Sequence, residues 1–271
     1  MKNIIRYLIA SIVLVLSAAS VKADQGEVMT WNIGGVERKA LVFAPAVETP
    51  NEKHPLVFAF HGHGGDMQHT ATQMNFQTVW PEAVVVYPQG LDGQGVVHDQ
   101  AGNAPGWQRY VGDFGDRDLK FFDRMLEALR RKYPVDNQRI YAVGFSNGAY
   151  FSYVLWATHS TNLAAIGAVA GAVTGAPLPP IQLNSPLPVM HIAGLMDGSV
   201  LLEWQAETIA ADRNVNNAPI KDGQPCGDSC VLFPSSSQTE VKALFFNGGH
   251  LYPSWASAEF VKFFKAHRRG Q

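Results

Sequence analysis

The sequence predicts an α/β fold with a mostly parallel, doubly wound sheet that follows an N-terminal antiparallel hairpin. Two apolar runs, Leu56 to Phe60 and Ala83 to Tyr87, are continuous, as is typical of strands buried on both faces. Between Asp118 and Tyr133, apolar residues recur at steps of three and four, which predicts an amphipathic helix. Strand and helix patterns then alternate along the chain, and this alternation favours a parallel sheet with helices on its faces.

The remaining predicted elements follow the same alternation. Short runs at Val28 to Ile33 and Lys39 to Phe43 predict the opening hairpin. In chain order, the later elements are a strand at Arg139 to Val143, a helix after Ser146, strands at Ala164 to Val169 and Pro188 to Ile192, a helix at Glu203 to Asp212, a strand at Val241 to Phe246 and a helix at Ser254 to Ala266. Sites in such sheets form at the carboxyl ends of the strands, so we expect reactive residues there.

Residues 1–23 have the pattern of a secretory signal peptide. Lys2 and Arg6 lead into an apolar run from Tyr7 to Ser20, and Val21 and Ala23 fit a small-residue cleavage site. The apolar run is shorter than the ~20 residues of a membrane span, which makes an uncleaved anchor the less favoured alternative. We therefore predict a secreted or periplasmic protein, cut after Ala23. Residues 24–271 are expected to form a single domain with no stable membrane association.

The net charge and the cysteine content further narrow the class of protein. The net charge is −2, the isoelectric point is about 6.5 and the basic residues form no block, so no nucleic-acid partner is expected. The two cysteines, Cys226 and Cys230, lie in the polar loop KDGQPCGDSC. In an exported protein a local disulfide is the expected state of such a pair. A metal-binding pair is the weaker alternative, because no histidine or third cysteine adjoins them.

A G-x-S-x-G pattern at Gly144, Ser146 and Gly148 is the first candidate for chemistry. Alone the pattern is weak, because 25 of the 271 residues are glycine and chance matches are frequent. Its position between a predicted strand and a predicted helix is that of a nucleophile elbow, in which a strained turn exposes the serine. The backbone N–H of Asn147 would then lie at a helix N-terminus, facing a developing oxyanion. An ordinary tight turn is the alternative interpretation.

The motif HGHGGD, from His61 to Asp66, follows the predicted strand that ends at Phe60. A His-Gly pair after a strand is typical of the oxyanion loop of esterases and lipases. We expect the backbone N–H of His63 to be the second oxyanion donor beside that of Asn147. A glycine-rich turn with solvated histidines is the alternative. A metal site at His61 and His63 is weaker still, because no carboxylate or third histidine lies at ligand spacing on a shared element.

A serine nucleophile needs a base, and in such hydrolases the chain order is Ser, then an acid, then His. His250 lies in the loop NGGHLYP directly after a predicted strand, which is the expected place for the base. His191 lies inside a predicted strand, and His267 lies at a helix end that we expect to be solvated. The sequence therefore predicts His250 as the general base of Ser146.

The orienting acid must lie between the serine and the base. Asp197 occupies a short loop, AGLMDGSV, after a buried predicted strand. Glu203, Glu207 and Asp212 fall on a predicted helix, where a solvated face is the simpler interpretation. Asp197 is therefore the predicted acid, which would hold the imidazole of His250 in the productive tautomer.

Eight motifs together carry a family resemblance. In chain order they are HGHGGD, VVYPQG, GWQRY, GDRDLKFFDRM, VDNQRIYAVGFSNGAYFSY, AAIGAVAG, PVMHIAGLMDGSV and NGGHLYP. The chain after residue 23 resembles exported polyhydroxybutyrate-depolymerase-like and feruloyl-esterase-like proteins over about its whole length. The resemblance implies the α/β-hydrolase fold and serine ester hydrolysis without a metal or cofactor. It assigns Ser146, Asp197 and His250 to the triad and the His63 region to the oxyanion loop.

The sequence departs from this family pattern at four places. Ala149 replaces a second glycine after the elbow, and His63 replaces a frequent cysteine. Ala193 to Met196 precede Asp197 in place of His-Gly-Thr-x, and Tyr252 replaces a tryptophan two residues after the base. None of these changes removes a side chain with a direct catalytic role. They border the expected cleft, so they bear on the substrate.

The substrate is expected to be a small or oligomeric ester. The loop between Gln89 and Asp116 is long and polar, as lids and binding loops often are. We expect its Trp107 and Tyr110, with Tyr252, to contact substrate; the alternative is that Trp107 only pins the loop to the core. An acyl or feruloyl ester of a carbohydrate is the first expectation and a short hydroxyalkanoate oligomer the second. An acyltransferase, a peptidase and a non-catalytic binding protein of the same fold are the alternatives.

Overall fold

The computed structural model describes residues 26–47 and 52–270, and the predicted signal peptide lies outside these ranges. The strands are β1 (Glu27–Ile33), β2 (Val36–Phe43), β3 (His54–Phe60), β4 (Val84–Pro88), β5 (Leu91–Gly93), β6 (Ala104–Gly106), β7 (Val135–Phe145), β8 (Ala165–Val169), β9 (Val189–Gly194), β10 (Gln224–Pro225), β11 (Cys230–Phe233) and β12 (Val241–Phe246). The α-helices are α1 (Met67–Met74), α2 (Phe76–Val79), α3 (Arg117–Lys132), α4 (Asn147–His159), α5 (Leu202–Val215) and α6 (Ala256–Lys265). Short 3₁₀ turns lie at Asp113–Asp116, Ser160–Asn162 and Ile220–Asp222.

Ten of these strands form one sheet in the order β1-β2-β4-β3-β7-β8-β9-β12-β11-β10. The six central strands, from β4 to β12, run parallel. At one edge β1 and β2 form an antiparallel hairpin that pairs with β4, and at the other edge β11 and β10 continue antiparallel to β12. The predicted fold class, a mostly parallel sheet with an N-terminal antiparallel hairpin, is confirmed.

Each face of the sheet has its own apolar core because successive strand residues point to opposite faces. Leu56 and Phe58 of β3 pack in the cluster that contains residues of α3, α4 and α5. Val57 and Ala59 of the same strand pack in the cluster that contains residues of α1, α2 and α6. The sheet is therefore covered by helices on both faces, which explains why its central strands are continuous apolar runs.

Some elements were not predicted from the sequence, namely α1, α2, β5, β6, β10 and β11, and β7 begins earlier than predicted. Helix α1 begins directly after the HGHGGD motif, where the Asp66 side chain accepts a hydrogen bond from the N–H of His69 and caps the helix. Its buried residues include Thr70, so its apolar pattern is weak. Strand β7 begins at Val135, before the predicted start at Arg139, because Val135 pairs with His54 ahead of an irregularity in the ladder.

Cys226 and Cys230 are joined in a disulfide, with Cα atoms 5.1 Å apart, as the sequence predicts. Cys226 directly follows β10 and Cys230 begins β11, so the bond ties the small hairpin at one edge of the sheet. None of the helices in residues 26–47 and 52–270 has the length and apolar character needed to cross a bilayer.

The carboxyl ends of the parallel strands position the candidate residues. The motif from His61 to Asp66 follows β3, Ser146 follows β7, Asp197 lies in the turn after β9 and His250 lies in the loop after β12. Because these strands are parallel, their carboxyl ends lie at one edge of the sheet. The fold thus brings four segments that are far apart in sequence to one place.

Candidate active site

Ser146 occupies a sharp turn between β7 and α4. Its backbone has φ 53° and ψ −122°, a conformation that a residue other than glycine rarely adopts. The turn is held by the N–H of Ser146, which donates to the carbonyl of Val169, and by the Ser146 carbonyl, which accepts from Tyr150 at the start of α4. The serine is therefore lifted out of the strand by a backbone that its neighbours fix.

The two glycines of the motif are required by close backbone contacts. A Cβ at Gly144 would lie 2.1 Å from the carbonyl oxygen of Gly148. A Cβ at Gly148 would lie 2.4 Å from the carbonyl oxygen of Phe60 at the end of β3. Both distances are below van der Waals contact, so only glycine allows the strand, the turn and the oxyanion loop to pack this closely.

The structure brings Ser146, His250 and Asp197 into one hydrogen-bonded line. Nε2 of His250 lies 2.9 Å from Oγ of Ser146. Nδ1 of the same ring lies 2.9 Å from Oδ2 and 3.1 Å from Oδ1 of Asp197. The ring of Phe145 lies against that of His250, with centroids 4.9 Å apart, and restricts its orientation. In this geometry a neutral imidazole donates to the carboxylate and accepts the serine proton.

The carboxylate of Asp197 is buried and ionised. Burial by itself opposes the charge, but hydrogen bonds from His250 and from the N–H groups of Ser199 and Val200 together hold its pKa below the usual value. Both N–H groups lie 2.9 Å from Oδ1. Oδ1 thus ties the carboxylate to its own turn, while Oδ2 makes the shorter of the two contacts with the imidazole of His250.

Two backbone N–H groups are available beside Ser146. Those of His63 and Asn147 make no hydrogen bond with any residue in the described ranges. Asn147 begins α4, so its N–H points along the positive end of the helix dipole. The oxyanion loop packs directly on the elbow, because a Cβ at Gly62 would lie 3.4 Å from Cβ of Ser146. This arrangement is suited to binding a negatively charged oxygen.

Trp107 lies in the core beneath the loop, which corrects the expectation of a substrate contact. Its side chain is 1 % exposed and stacks on Phe151 with ring centroids 5.5 Å apart. Its indole N–H donates to the carbonyl of His61 at 2.9 Å. The side chain of Asn147 bonds both backbone groups of Trp107, accepting from its N–H at 2.6 Å and donating to its carbonyl at 3.0 Å. Trp107 therefore joins the long loop to the oxyanion loop and to the elbow.

Of the other two expected substrate contacts, Tyr110 lies at a surface cleft and Tyr252 lies in the core. Tyr110 lines a surface cleft with Ala157 near the C-terminal end of α4. Ser146 precedes the other end of this helix, so the two are separated by about 16 Å of helix. Tyr252 is buried, and its hydroxyl hydrogen-bonds Oγ of Ser257 at 2.7 Å. Its ring meets that of Phe145 edge-on, so Tyr252 supports the residue that packs against the base.

The two histidines of the HGHGGD motif are structural in different ways. His61 is buried, with Nδ1 bonded to the carbonyl of Gly62 and Nε2 to the N–H of Gly90. Burial lowers the pKa of His61 to about 4, although the bond to Gly62 opposes the shift. Nε2 of His63 lies 2.9 Å from Oδ2 of Asp99 in the long loop. Both rings are thus engaged by the fold, one in the core and one in holding the loop.

Three further residues were missed or misjudged from the sequence. Asp99 accepts hydrogen bonds from Gly102, Asn103, Ala104 and His63, and the bond from Asn103, then that from His63, lowers the pKa of its carboxyl. Its D-x-x-G spacing, Asp99 to Gly102, was the available signal. Asp212 was expected on a solvated face, but it is fully buried. His267 was expected to be solvated, but it is buried with Nε2 3.1 Å from Glu240.

Comparison with known proteins gives consistent relatives. The sequence profile of the phospholipase/carboxylesterase family matches residues 43–219. Feruloyl esterase C of Emericella nidulans is 25 % identical over 226 residues, which cover 79 % of this chain and 76 % of that protein. A bifunctional acetylxylan esterase/xylanase of Neocallimastix patriciarum is 26 % identical over 166 residues, which cover 60 % of this chain. The match spans only 22 % of that longer protein.

Solved structures agree on the fold. A thermostable esterase superposes with a TM-score of 0.63 at 17 % identity and covers 90 % of this chain and 63 % of its own. A ferulic acid esterase superposes with a TM-score of 0.62 at 17 % identity, covering 88 % and 96 %. At this low sequence identity, the similarity to these structures shows the fold alone. The profile match over residues 43–219 confirms the predicted enzyme class at the level of the family, and the superposed structures support the α/β-hydrolase fold: the chain belongs to the phospholipase/carboxylesterase family and has this fold.

Proposed function

We propose that this chain is a serine esterase that hydrolyses carboxylic esters through an acyl-enzyme. The observation that carries the proposal is the line from Ser146 Oγ through His250 to Asp197, with both hydrogen bonds at 2.9 Å. The N–H groups of His63 and Asn147, which have no hydrogen-bond partner in the described part of the chain, add a site for the oxyanion. The proposed reaction implies no metal or cofactor.

The reaction divides into two steps of the same kind. Oγ of Ser146 attacks the ester carbonyl while His250 Nε2 takes its proton, and the N–H groups of His63 and Asn147 bind the resulting oxyanion. When the tetrahedral intermediate collapses, the protonated His250 gives its proton to the departing alcohol and leaves an acyl-serine. Water then repeats the sequence, with its proton taken by His250, and releases the acid. Asp197 stabilises the imidazolium in both steps.

We propose an acyl or feruloyl ester of a carbohydrate as substrate, and a short hydroxyalkanoate oligomer as the second choice. The names of the relatives, a feruloyl esterase and an acetylxylan esterase, favour the first. The surface beside the triad is compatible with an apolar acyl group. Leu195 and Met196 precede Asp197 and Leu251 follows His250, and all three are exposed. Exposed apolar side chains grouped at a site are typical of a ligand-binding rim.

We also propose that the protein is exported and works as one catalytic domain, residues 24–271. The pattern of residues 1–23 supports export. Sequencing the N-terminus of the protein recovered from the secreted and periplasmic fractions tests this directly. A mature chain that begins at Asp24 is the expected result, and an intact N-terminus in the membrane fraction would contradict it.

The test of the proposed function is hydrolysis of a p-nitrophenyl ester series of increasing acyl length by the wild type, Ser146→Ala and Ser254→Ala. Ser254 is an exposed serine in the loop after His250, so its variant controls for the loss of a hydroxyl near the site. We expect Ser146→Ala to lose on the order of 10⁶-fold in kcat and Ser254→Ala to retain wild-type rates. A wild type no faster than Ser146→Ala on every ester would refute the esterase.

Feruloyl, acetyl-xylose and hydroxybutyrate esters compared at equal concentration would then rank the substrates. We expect the carbohydrate esters to have the higher kcat/KM. Parallel assays with an added alcohol acceptor and with peptides separate hydrolysis from the alternatives on this fold. Transfer of the acyl group to the acceptor in preference to water would replace the hydrolase with an acyltransferase.

A further inference from the structure

A continuous line of buried polar side chains extends from Asp197 into the protein interior. Nε2 of Gln205 donates to the carbonyl of Val200 at 2.7 Å and lies 3.4 Å from Oδ2 of Asp197. Oε1 of Gln205 lies 3.1 Å from Nε2 of His191. Nδ1 of His191 lies 2.9 Å from the hydroxyl of Tyr153, which lies 2.9 Å from Oδ2 of Asp212. Gln205, His191, Tyr153 and Asp212 are all fully buried.

The donors and acceptors of this line fix its direction. Oε1 of Gln205 can only accept, so Nε2 of His191 must carry a proton to bond it. In a neutral ring Nδ1 is then bare, and it must accept from the hydroxyl of Tyr153. This hydrogen bond uses the only proton of the tyrosine hydroxyl. When His191 is neutral, the 2.9 Å contact between Tyr153 and Asp212 is therefore a hydrogen bond only if the carboxyl is protonated and donates to the tyrosine oxygen.

One alternative has the same number of protons. An ionised Asp212 could accept from Tyr153 while a doubly protonated His191 donates to the tyrosine oxygen. This arrangement places two charges in a fully buried site, which is costly. Burial lowers the pKa of His191 to about 4 and raises that of Asp212 well above its usual range. The nearest cation in sequence, Arg213, turns its guanidinium to the ring of Phe233, 5.0 Å from the centroid. The neutral form is favoured.

We propose that Gln205 is a positioning residue for the acid Asp197, held in place by the neutral line Asp212–Tyr153–His191. The inference rests on the proposed function, in which Asp197 orients the base. Gln205 bonds the turn from Asp197 to Val200 at both ends, through the carboxylate oxygen Oδ2 and the carbonyl of Val200. Because its own Oε1 is bonded to His191, the amide cannot rotate. The oxygen that faces His250 is thereby fixed from behind, on the side away from substrate.

The first test compares Gln205→Met with Thr208→Val on the same buried face of α5. Thr208 is an equally buried polar side chain, which accepts from the N–H of Val173 and has no bond to Asp197. Both variants leave one buried backbone group without its partner, and we expect both to lower the Tm. Only Gln205→Met should lower kcat, on the order of 10- to 100-fold, because a misplacement of ~1 Å at the reacting groups has this effect. KM should not change. Equal kcat values for the two variants would overturn the inference.

The second test measures the protonation of His191 directly in the wild type. In ¹⁵N spectra of the wild type, with the His191 signals assigned by their loss in His191→Gln, we expect a neutral ring protonated at Nε2. An imidazolium, or a ring protonated at Nδ1, would overturn the direction of the line. Asp212→Asn adds a check: its amide donates to Tyr153 as the neutral acid does, so Tm and kcat should be retained. A large fall in Tm would instead indicate an ionised Asp212.

These results separate the inference from the proposed function. A wild type without esterase activity refutes the function, while the state of His191 still decides the direction of the hydrogen bonds. An active wild type whose kcat is equally affected by Gln205→Met and Thr208→Val refutes only the role of Gln205.

Discussion

Replacing Trp107 with phenylalanine separates the stability of the core from the placement of the oxyanion loop. Phenylalanine keeps a ring against Phe60 and Phe151, whose centroids lie 5.2 Å and 5.5 Å from that of Trp107. It lacks the indole N–H that donates to the carbonyl of His61 at 2.9 Å. That carbonyl lies two residues before the N–H of His63. Because the carbonyl of His61 loses its hydrogen-bond donor in this variant, we expect both the stability of the fold and the rate of catalysis to decrease.

The magnitude follows from two contributions. A buried carbonyl left without its donor costs about 1–3 kcal/mol. The smaller ring leaves a gap that costs about 1 kcal/mol more. We therefore expect the free energy of unfolding to fall by about 2–4 kcal/mol. Since the oxyanion loop also loses a restraint, kcat should fall on the order of tenfold or more, within the range of a small misplacement at the reacting groups.

Trp156→Phe is the matched control. Trp156 is as buried as Trp107, at 1 % exposed, and its indole N–H likewise donates to a carbonyl, that of Ser185 at 2.7 Å. Phenylalanine retains a ring beside Tyr153 there. Urea unfolding and p-nitrophenyl ester kinetics on both variants give the comparison. We expect a smaller loss of stability in Trp156→Phe, because Ser185 is exposed and water can replace the indole, and a loss of kcat only in Trp107→Phe. Unchanged kcat in Trp107→Phe, or an equal loss in both, would refute the reasoning.

Two further predictions concern the triad acid and the elbow. The folded-state pKa of Asp197 lies below its usual 3.8, so its charge stabilises the fold above that pH and the contribution is lost as the pH falls through the folded-state pKa. Asp197→Asn should lower kcat on the order of 10⁴-fold and should lose stability less steeply than wild type on acidification below about pH 4; equal slopes in acid titrations followed by fluorescence would contradict this. Gly148→Ala should lower both Tm and kcat, because its Cβ would lie 2.4 Å from the carbonyl oxygen of Phe60. Gly198→Ala, beside Asp197, is the control: its Cβ would have no atom within 4 Å, so neither Tm nor kcat should change. Equal effects in the two alanine variants would show that the close contact at Gly148 does not cause the loss.

The predictable parts of the fold are those in which the local residue pattern reflects a single structural role. Leu56 to Phe60 is apolar throughout because β3 is covered on both faces, so it was recognisable as a central strand. Ser146, Asp197 and His250 each follow a strand, and this position together with the chain order was enough to group them. The structure brings them within hydrogen-bonding distance, and their catalytic roles stay a prediction until the variants are assayed.

The parts that were not predictable depend on partners distant in sequence. Trp107 lies in a polar loop, and nothing near it in the chain shows that Asn147, forty residues later, bonds its backbone on both sides. Asp212 sits on a helix with exposed Glu203 and Glu207, and its burial follows from a tyrosine on α4 that reaches it. The local sequence pattern of a helix shows whether the helix has an apolar face. It does not show which of its polar residues has a hydrogen-bond partner in the protein interior.

The loop from Gln89 to Asp116 has a consequence for how a ligand would meet this protein. Asp99 closes its tip, Trp107 anchors its return, and Arg109 bonds Asp113 at 2.8 Å and the carbonyl of Gly95 at 3.0 Å. A loop held at several points has already lost its conformational freedom when the chain folds. The HGHGGD loop and the elbow, which this loop contacts, are therefore held in place before a ligand binds, and less of the binding free energy is used to order them.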